Sequence, residues 1–479
     1  MVKWNKFVLG RVQAGASRVK VESKRTTPEH VLAKSPAFQL PVELWRRILA
    51  PLAQTPGYDA CDFPDPFINT SKAYNHDEFS PEERVEVLRL TEVCRTWREI
   101  ILESMAQYIV VYRLDDLRAV VRRFEDSKSA AIKAGTNSFG LGRLTRRIDF
   151  RMHRKDPRES CWKVTTDTII RLFELTPNLE IYVNSNGSNF NLPLRSNPRM
   201  MEALVRLHGS RLRRVEWNHA ECPSWPDLAT FLMGTPNLQA LNLTTIFAIQ
   251  HSVPEDRIIN LKRLTHLSLG MPNTAIPHLP RSWGPLLSAL SCHTNPYSIP
   301  GAGGGSDQLP AITHLAINPF PSPHFFVAHG RKIRSLRTNS RGVLPHLPDA
   351  LGLCEYLHTL VIPPTPGLCM LQNHPSIERI GIFPLRDTTI EVPARMFNIF
   401  IMLPLEETLL LVEGMTLPRL KAVRVKNMGA MKPVEERSLT MQAWWRRWNI
   451  RGVRFEDTMG TSFEQVVTDD EALMALVRA

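Results

Sequence analysis

The chain has little of what exported proteins, membrane proteins and common enzymes need. Its seven cysteines (Cys61, Cys94, Cys161, Cys222, Cys292, Cys354 and Cys369) are scattered singly, with no C-x-x-C pair. That excludes the usual zinc-finger and dithiol spacings and points to a reducing compartment, cytoplasmic or nuclear. The longest apolar run, FNIFIMLPL near residue 400, falls far short of the ~20 residues a membrane-crossing helix requires, so no membrane contact is expected. The opening stretch MVKWNKFVLGRVQAGASRVKVESKR lacks the apolar core of a secretory signal. Fifteen histidines include no H-E-x-x-H, and no G-x-S-x-G elbow occurs. The glycine run at 301–306 lacks the lysine of a phosphate-binding loop and reads as a plain loop. Asp59, Asp62 and Asp65 lack the alternation and closing glutamate of a calcium loop. No catalytic residue, metal site or cofactor is therefore expected.

What is present suits a globular protein of two or three domains: 479 residues, 43% hydrophobic and 22% charged. The net charge is +12, but residues 1–28 hold seven Lys/Arg against one Glu and supply half of it. The remainder is not strongly basic, so nucleic acid is not the expected partner. Four segments follow: a basic leader (1–36), a helical module (37–106), a repetitive body (107–460) and a C-terminal helix or tail (461–479).

Within the module, LPVELWRRILAPLA (40–53) sets Leu44, Ile48 and Leu52 at i, i+4 and i+8, beside Trp45 and Leu49. Pro41 suits a first helical turn. SPEE at 80–83 opens a second helical stretch, along which Leu90, Val93, Cys94, Trp97 and Ile101 keep helical spacing. The residues between, 54–80, are rich in proline and aspartate and read as an exposed, mobile loop.

The body has another rhythm. An L-x-x-L-x-L pattern recurs at 212–217, 238–243, 264–269, 287–292, 312–317, 333–338, 357–362, 377–382 and 420–425. YIVVYRLDDLRAVVRRF reads as a strand turning into a helix, and LTRRIDF and TPNLEIYV as longer, looser versions of the repeat. A period of 20–26 residues carrying one short strand and one helical return is the sequence sign of a leucine-rich-repeat solenoid. The 43-residue step near 380–423 suggests one hidden divergent unit. Regular repeats place an asparagine three residues after the last leucine; here Ile246, Pro272 and Phe320 stand there, so an irregular solenoid is expected. Trp444, Trp445 and Trp448 lie at helical spacing and read as a cap on its open end. The fold class is thus α/β: a small all-helical module, then an irregular repeat-like solenoid.

FQLPVELWRRIL with LRLTEVCRTWREI resembles the F-box: a Leu-Pro start, an apolar first helix, then Val-Cys-x-x-Trp. With the repeats behind it, the layout is similar to fungal F-box proteins with leucine-rich-repeat-like C-terminal regions. The resemblance implies a substrate-recognition adaptor of a Skp–cullin–F-box ubiquitin ligase. Its F-box would dock on the Skp-type linker protein through Leu40, Pro41, Leu44, Ile48, Leu49, Leu90, Val93, Cys94 and Trp97. The insertion 54–80 departs from the family's short loop. The alternative is a solenoid scaffold, outside any ligase, whose F-box-like helices only cap its end. By strand alternation Arg214, Glu216, Asn242, His266, His314, Arg337, Arg379 and Arg424 face outward on the inner sheet surface, the expected site for an unknown protein substrate.

Overall fold

Each short apolar strand of the body is too small to bury its own inward side chains, so neighbouring strands must stack. The computed structural model describes residues 40–54, 59–61, 67, 87–135, 139–154, 162–188, 194–247, 259–270, 284–290, 307–318, 323–338, 346–364, 370–382, 403–425, 438–457, 460 and 462. The basic leader, the 301–306 glycine run, the SPEE helix start and nearly all of the expected tail lie outside them.

Twelve strands form one parallel sheet, and their spatial order follows the chain. They are β1 Tyr108–Val111, β2 Arg147–Phe150, β3 Ile181–Asn184, β4 Arg214–Trp217, β5 Ala240–Leu243 and β6 His266–Leu269, then β7 His314–Ile317, β8 Ser335–Thr338, β9 Thr359–Ile362, β10 Arg379–Ile382, β11 Ala422–Val425 and β12 Arg454–Glu456. Ahead of them stand helices α1 Val42–Ala53 and α2 Arg95–Met105. Returns between strands use α3 Leu114–Lys133, α4 Trp162–Leu175, α5 Pro198–His208, α6 Trp225–Met233, α7 Gly284–Leu290, α8 Pro323–His329, α9 Leu347–Leu353, α10 Leu403–Gly414 and α11 Ser438–Ile450. The molecule is therefore mixed α/β, with a large open parallel sheet and, among the described residues, no closed barrel.

Register explains the alternation. Val215, Leu241, Leu267, Leu315, Leu336, Leu360, Ile380 and Val423 stand side by side along β4–β11 and are buried against the helices. The opposite face carries the other two residues of each strand. Strands sit ~4.8 Å apart, whereas packed helices need ~8–10 Å. A sheet backed by helices that pack side by side, as α3 with α4 and α4 with α5, therefore curves with its helix-free face inside.

A carbonyl at the entry to each strand joins the units. Gln107 O accepts from both Arg146 N (2.9 Å) and Arg147 N (3.1 Å), and Arg146 O from Glu180 N (2.8 Å) and Ile181 N (2.9 Å); the same double acceptance continues to Glu378 O. An asparagine brace exists, but before the strand: Asn178 Nδ2 donates to Arg143 O (2.7 Å) and Asn237 Nδ2 to Ser210 O (2.6 Å). Buried histidines add a second row of ties, His208 to Phe173 O (3.1 Å), His329 to Leu290 O (2.9 Å) and His374 to Cys354 O (3.2 Å). A carbonyl only accepts, so each ring carries its proton on Nε2. Gly209 and Gly234 end successive helices, and a Cβ on Gly209 would lie 2.3 Å from Gly234 O, which leaves no room for a side chain.

One expectation is corrected. The strand expected at 287–292 is not seen at 287–290, which belong to helix α7, Gly284–Leu290, because Leu286 and Leu290, one helical turn apart, both reach the core; residues 291 and 292 lie outside the described residues. The divergent unit expected between β10 and β11 falls largely on residues 383–402, outside the described residues; those described there hold a helix, α10, whose Leu405, Leu409 and Val412 recur at helical spacing and are buried. Trp444 and Trp448 of α11 sit in the main core beside β12, with Trp445 packed on its margin.

Candidate functional site

Two surfaces gather the residues singled out above. The first is the helical pair. Leu49 and Ala53 of α1 meet Ile100 and Ile101 of α2 in a small core of their own, with Trp45, Val87, Leu90, Trp97 and Met105 at its rim. Trp45 and Trp97 pack at 4.8 Å between ring centroids, and Arg46 pairs with Glu103 at 3.2 Å. Cys94 caps α2: its Sγ accepts from Trp97 N at 3.4 Å.

Leu44, Ile48 and Leu52 occupy the adjoining face of α1, about 100° round the helix. That face is open, with Ile48 49% exposed against 2% for Leu49. Leu40, Val42 and Val93 are exposed too, so six large apolar side chains lie open within residues 40–93, while the other eight among the described residues are spread over 112–450. Of the nine residues assigned to linker binding, Leu40, Pro41, Leu44, Ile48 and Val93 are exposed, and Leu90, Cys94 and Trp97 are half-buried. Leu49 is corrected: it is core, because the helix turns it towards Ile101.

The second surface is the helix-free face of the sheet. Arg214, Glu216, Asn242, His266, His314, Arg337, Arg379 and Arg424 share it in two registered rows. The expectation that they face solvent needs correcting, since Arg214, Glu216, His266 and Arg424 are buried and the other four half-buried. Partners account for much of this. Arg214 pairs with Glu216, which also accepts from Asn218 Nδ2 (2.7 Å), and Arg424 grips Glu456 through Nε (3.0 Å) and Nη2 (2.7 Å). His266 and His314 stack at 4.0 Å, each Nδ1 against the preceding threonine hydroxyl.

At the β1–β2 end, Asp149 accepts from Arg147 (2.7 and 2.8 Å), Arg151 (3.2 Å) and the Tyr108 hydroxyl (2.7 Å). Burial alone would raise this carboxyl; the two guanidiniums and the hydroxyl outweigh it and hold it below the usual carboxylate range. Glu216, buried but facing Arg214 and Arg147, is lowered in the same way. Burial brings the Arg337 guanidinium down to about 10, so it remains cationic at neutral pH.

The insertion supplies residues that the sequence reading did not assign to this face. Ala60 O accepts from Arg214 Nη1 at 2.9 Å. Cys61, 7% exposed, packs on Ile181 and Val183. Phe67, 9% exposed, packs on Val361, with the guanidiniums of Arg379 and Arg424 over its ring at 5.0 and 5.1 Å. At these residues the expected exposed, mobile loop is instead docked. Apolar side chains spaced among aspartates and prolines, in a stretch without lysine or arginine until Lys72, were the available signal.

At the strand-entry edge a shallow cavity of about 1010 Å³ is lined by Arg143, Arg146, Arg211, Arg213 and Arg263 with Glu180 and neutral residues. Arg213 reaches Glu180 (3.4 Å) and Gln239 (3.1 Å), and Arg211 reaches Asn178 (2.8 Å). Among the described residues no group of three or more His, Cys, Asp or Glu is arranged to hold a metal ion, and no helix is long and apolar enough to cross a membrane. No family model matches the chain, and no curated protein matches it either.

Proposed function

We propose that this protein is a substrate-recognition adaptor of a Skp–cullin–F-box type ubiquitin ligase. In this reading residues 37–106 are an F-box-like module that docks on the Skp-type linker. Residues 107–460 are an irregular leucine-rich-repeat-like solenoid whose inner face captures a partner protein, and no catalysis is assigned to the chain. The observation that carries the reading is the doubly apolar character of α1: Leu49 and Ala53 satisfy α2, and Leu44, Ile48 and Leu52 are left open. An apolar face of that kind on a small helical pair marks a protein interface.

A second reading has its own support. Ala106 O accepts from Thr145 Oγ1 (2.8 Å), and Gln107 O from Arg146 N and Arg147 N, so the end of α2 is joined directly to the first strands. This suits a scaffold whose helices serve as a cap. Capture of a purified Skp-type linker by the full chain separates the two. The adaptor reading expects a stable complex that Leu44→Asp with Ile48→Asp abolishes while the unfolding midpoint stays within about 1 °C, since both side chains are already exposed. A folded wild-type chain that fails to hold the linker leaves the scaffold.

A further inference from the structure

The inner face already holds something: the chain's own residues. Phe67 lies on Val361 beneath two arginines, Ala60 supplies a carbonyl to Arg214, and Cys61 packs on Ile181 and Val183 of β3. These contacts come from three positions within eight residues, yet they touch strands at both ends of the face, β3 and β4 at one end and β9–β11 at the other. Six residues of extended chain reach only ~20 Å, while the sheet path from β3 to β9 is six strand spacings, ~29 Å. The two anchors therefore span the hollow of the curved sheet.

The chemistry of the occupant matches its seat. Residues 59–67 read DACDFPDPF, three aspartates and no basic residue, and the rows against which Ala60 and Phe67 lie contain Arg214, Arg337, Arg379 and Arg424. An aromatic ring face is a favourable partner for a guanidinium, and a solvent-poor site strengthens that attraction. Backbone acceptance at Arg214 and a ring at Arg379 and Arg424 together describe a reader of extended, acidic, aromatic chain.

We propose that the inner face is a binding site for an extended acidic segment of a partner protein bearing an aromatic side chain, and that Ala60, Cys61 and Phe67 occupy it as an intramolecular competitor. The aromatic subsite is Val361, Arg379 and Arg424; the backbone-reading position is Arg214. The proposal rests on the reading of this face as the one that captures a partner, but not on the identity of the ligase. A tethered occupant acts at an effective concentration in the millimolar range, so a partner segment must exceed the competitor's own fit to enter.

The probe is a fluorescent peptide of residues 57–70, GYDACDFPDPFINT, added under reducing conditions to the full-length chain. It should bind a full-length variant whose residues 57–70 are replaced by Gly/Ser of equal length at least about tenfold more tightly than it binds the wild type. Replacing Phe67 by Ala in the peptide, or making Arg379→Met in the variant protein, should each weaken binding about tenfold. Equal binding to wild type and variant, or indifference to Phe67 of the peptide, would overturn the proposal. Should thermal unfolding show the replaced chain to be misfolded, Phe67→Leu takes its place. It keeps apolar bulk on Val361 and loses the ring, and it must bind the peptide more tightly than the wild type does for the proposal to stand. Linker capture is read on the same samples. Loss of the linker with the peptide bound sinks the ligase reading alone, and loss of peptide binding with the linker bound sinks this site alone.

Discussion

Cys94 is a sulfur in a position where oxygen is the usual acceptor. Its Sγ satisfies the Trp97 N–H at the start of α2, one of the donors that a helix cannot pair internally. Cys94→Ser should keep the cap and match or exceed wild-type stability, whereas Cys94→Ala should cost about 0.5–1 kcal/mol in urea unfolding. Equal stability of the two variants would show that the sulfur caps nothing. His208 makes a second residue-scale prediction. Burial pushes its ring down to about 4 from 6.5, and its tie to Phe173 O fixes the neutral form. The unfolded chain therefore takes up a proton between pH 6.5 and 4 that the folded chain refuses. The stability from this group is complete above pH 6.5 and falls away as pH drops towards 4, by up to about 3 kcal/mol. His329 and His374 are lowered by burial too and add to the slope with the same sign. A urea midpoint that holds from pH 7.5 to 6.5 and then declines is the expected profile. In His208→Gln that decline should be shallower.

At the scale of elements, α1 offers an internal comparison between neighbours in sequence. Leu49→Ala removes a side chain from the small core and should cost about 2–5 kcal/mol. Ile48→Ala strips an exposed side chain and should change stability by no more than about 0.5 kcal/mol, yet weaken linker capture. The reverse pattern in unfolding and capture would mean that the helix is turned the other way. Helical spacing marked α1 as apolar, but as one wide face, so Leu49 was grouped with Leu44 and Ile48 at the linker although it packs on Ile101. Strand alternation was plain, and it assigned Arg214 and Glu216 to the face they occupy. The stretch 287–292 was not, since leucines three apart fit an L-x-x-L strand and a helical turn alike. Asn178 and Asn237 were visible as Pro-Asn pairs, but the brace was sought after the strand rather than before it. No local pattern could announce the bond from Arg214 to Ala60, whose ends lie 154 positions apart.

On the scale of the whole molecule, the residues that fill the inner face belong to the connection between α1 and α2. Ala60 and Phe67 are held by strands of the sheet, and the chain on either side of them runs into the two helices. An occupant of the helices and an occupant of the face therefore act on one covalent segment from opposite directions. Equilibrium thermodynamics then imposes symmetry: whatever factor the first applies to the affinity of the second, the second returns to the first. Saturating the full chain with linker should shift the affinity for the 57–70 peptide by about fivefold or more, and saturating peptide should shift linker affinity by the same factor. A factor of one in calorimetry would mean that the segment is slack enough to isolate its two ends. Any other factor makes the insertion a mechanical linkage, through which assembly at one end of the protein is felt as selectivity at the other.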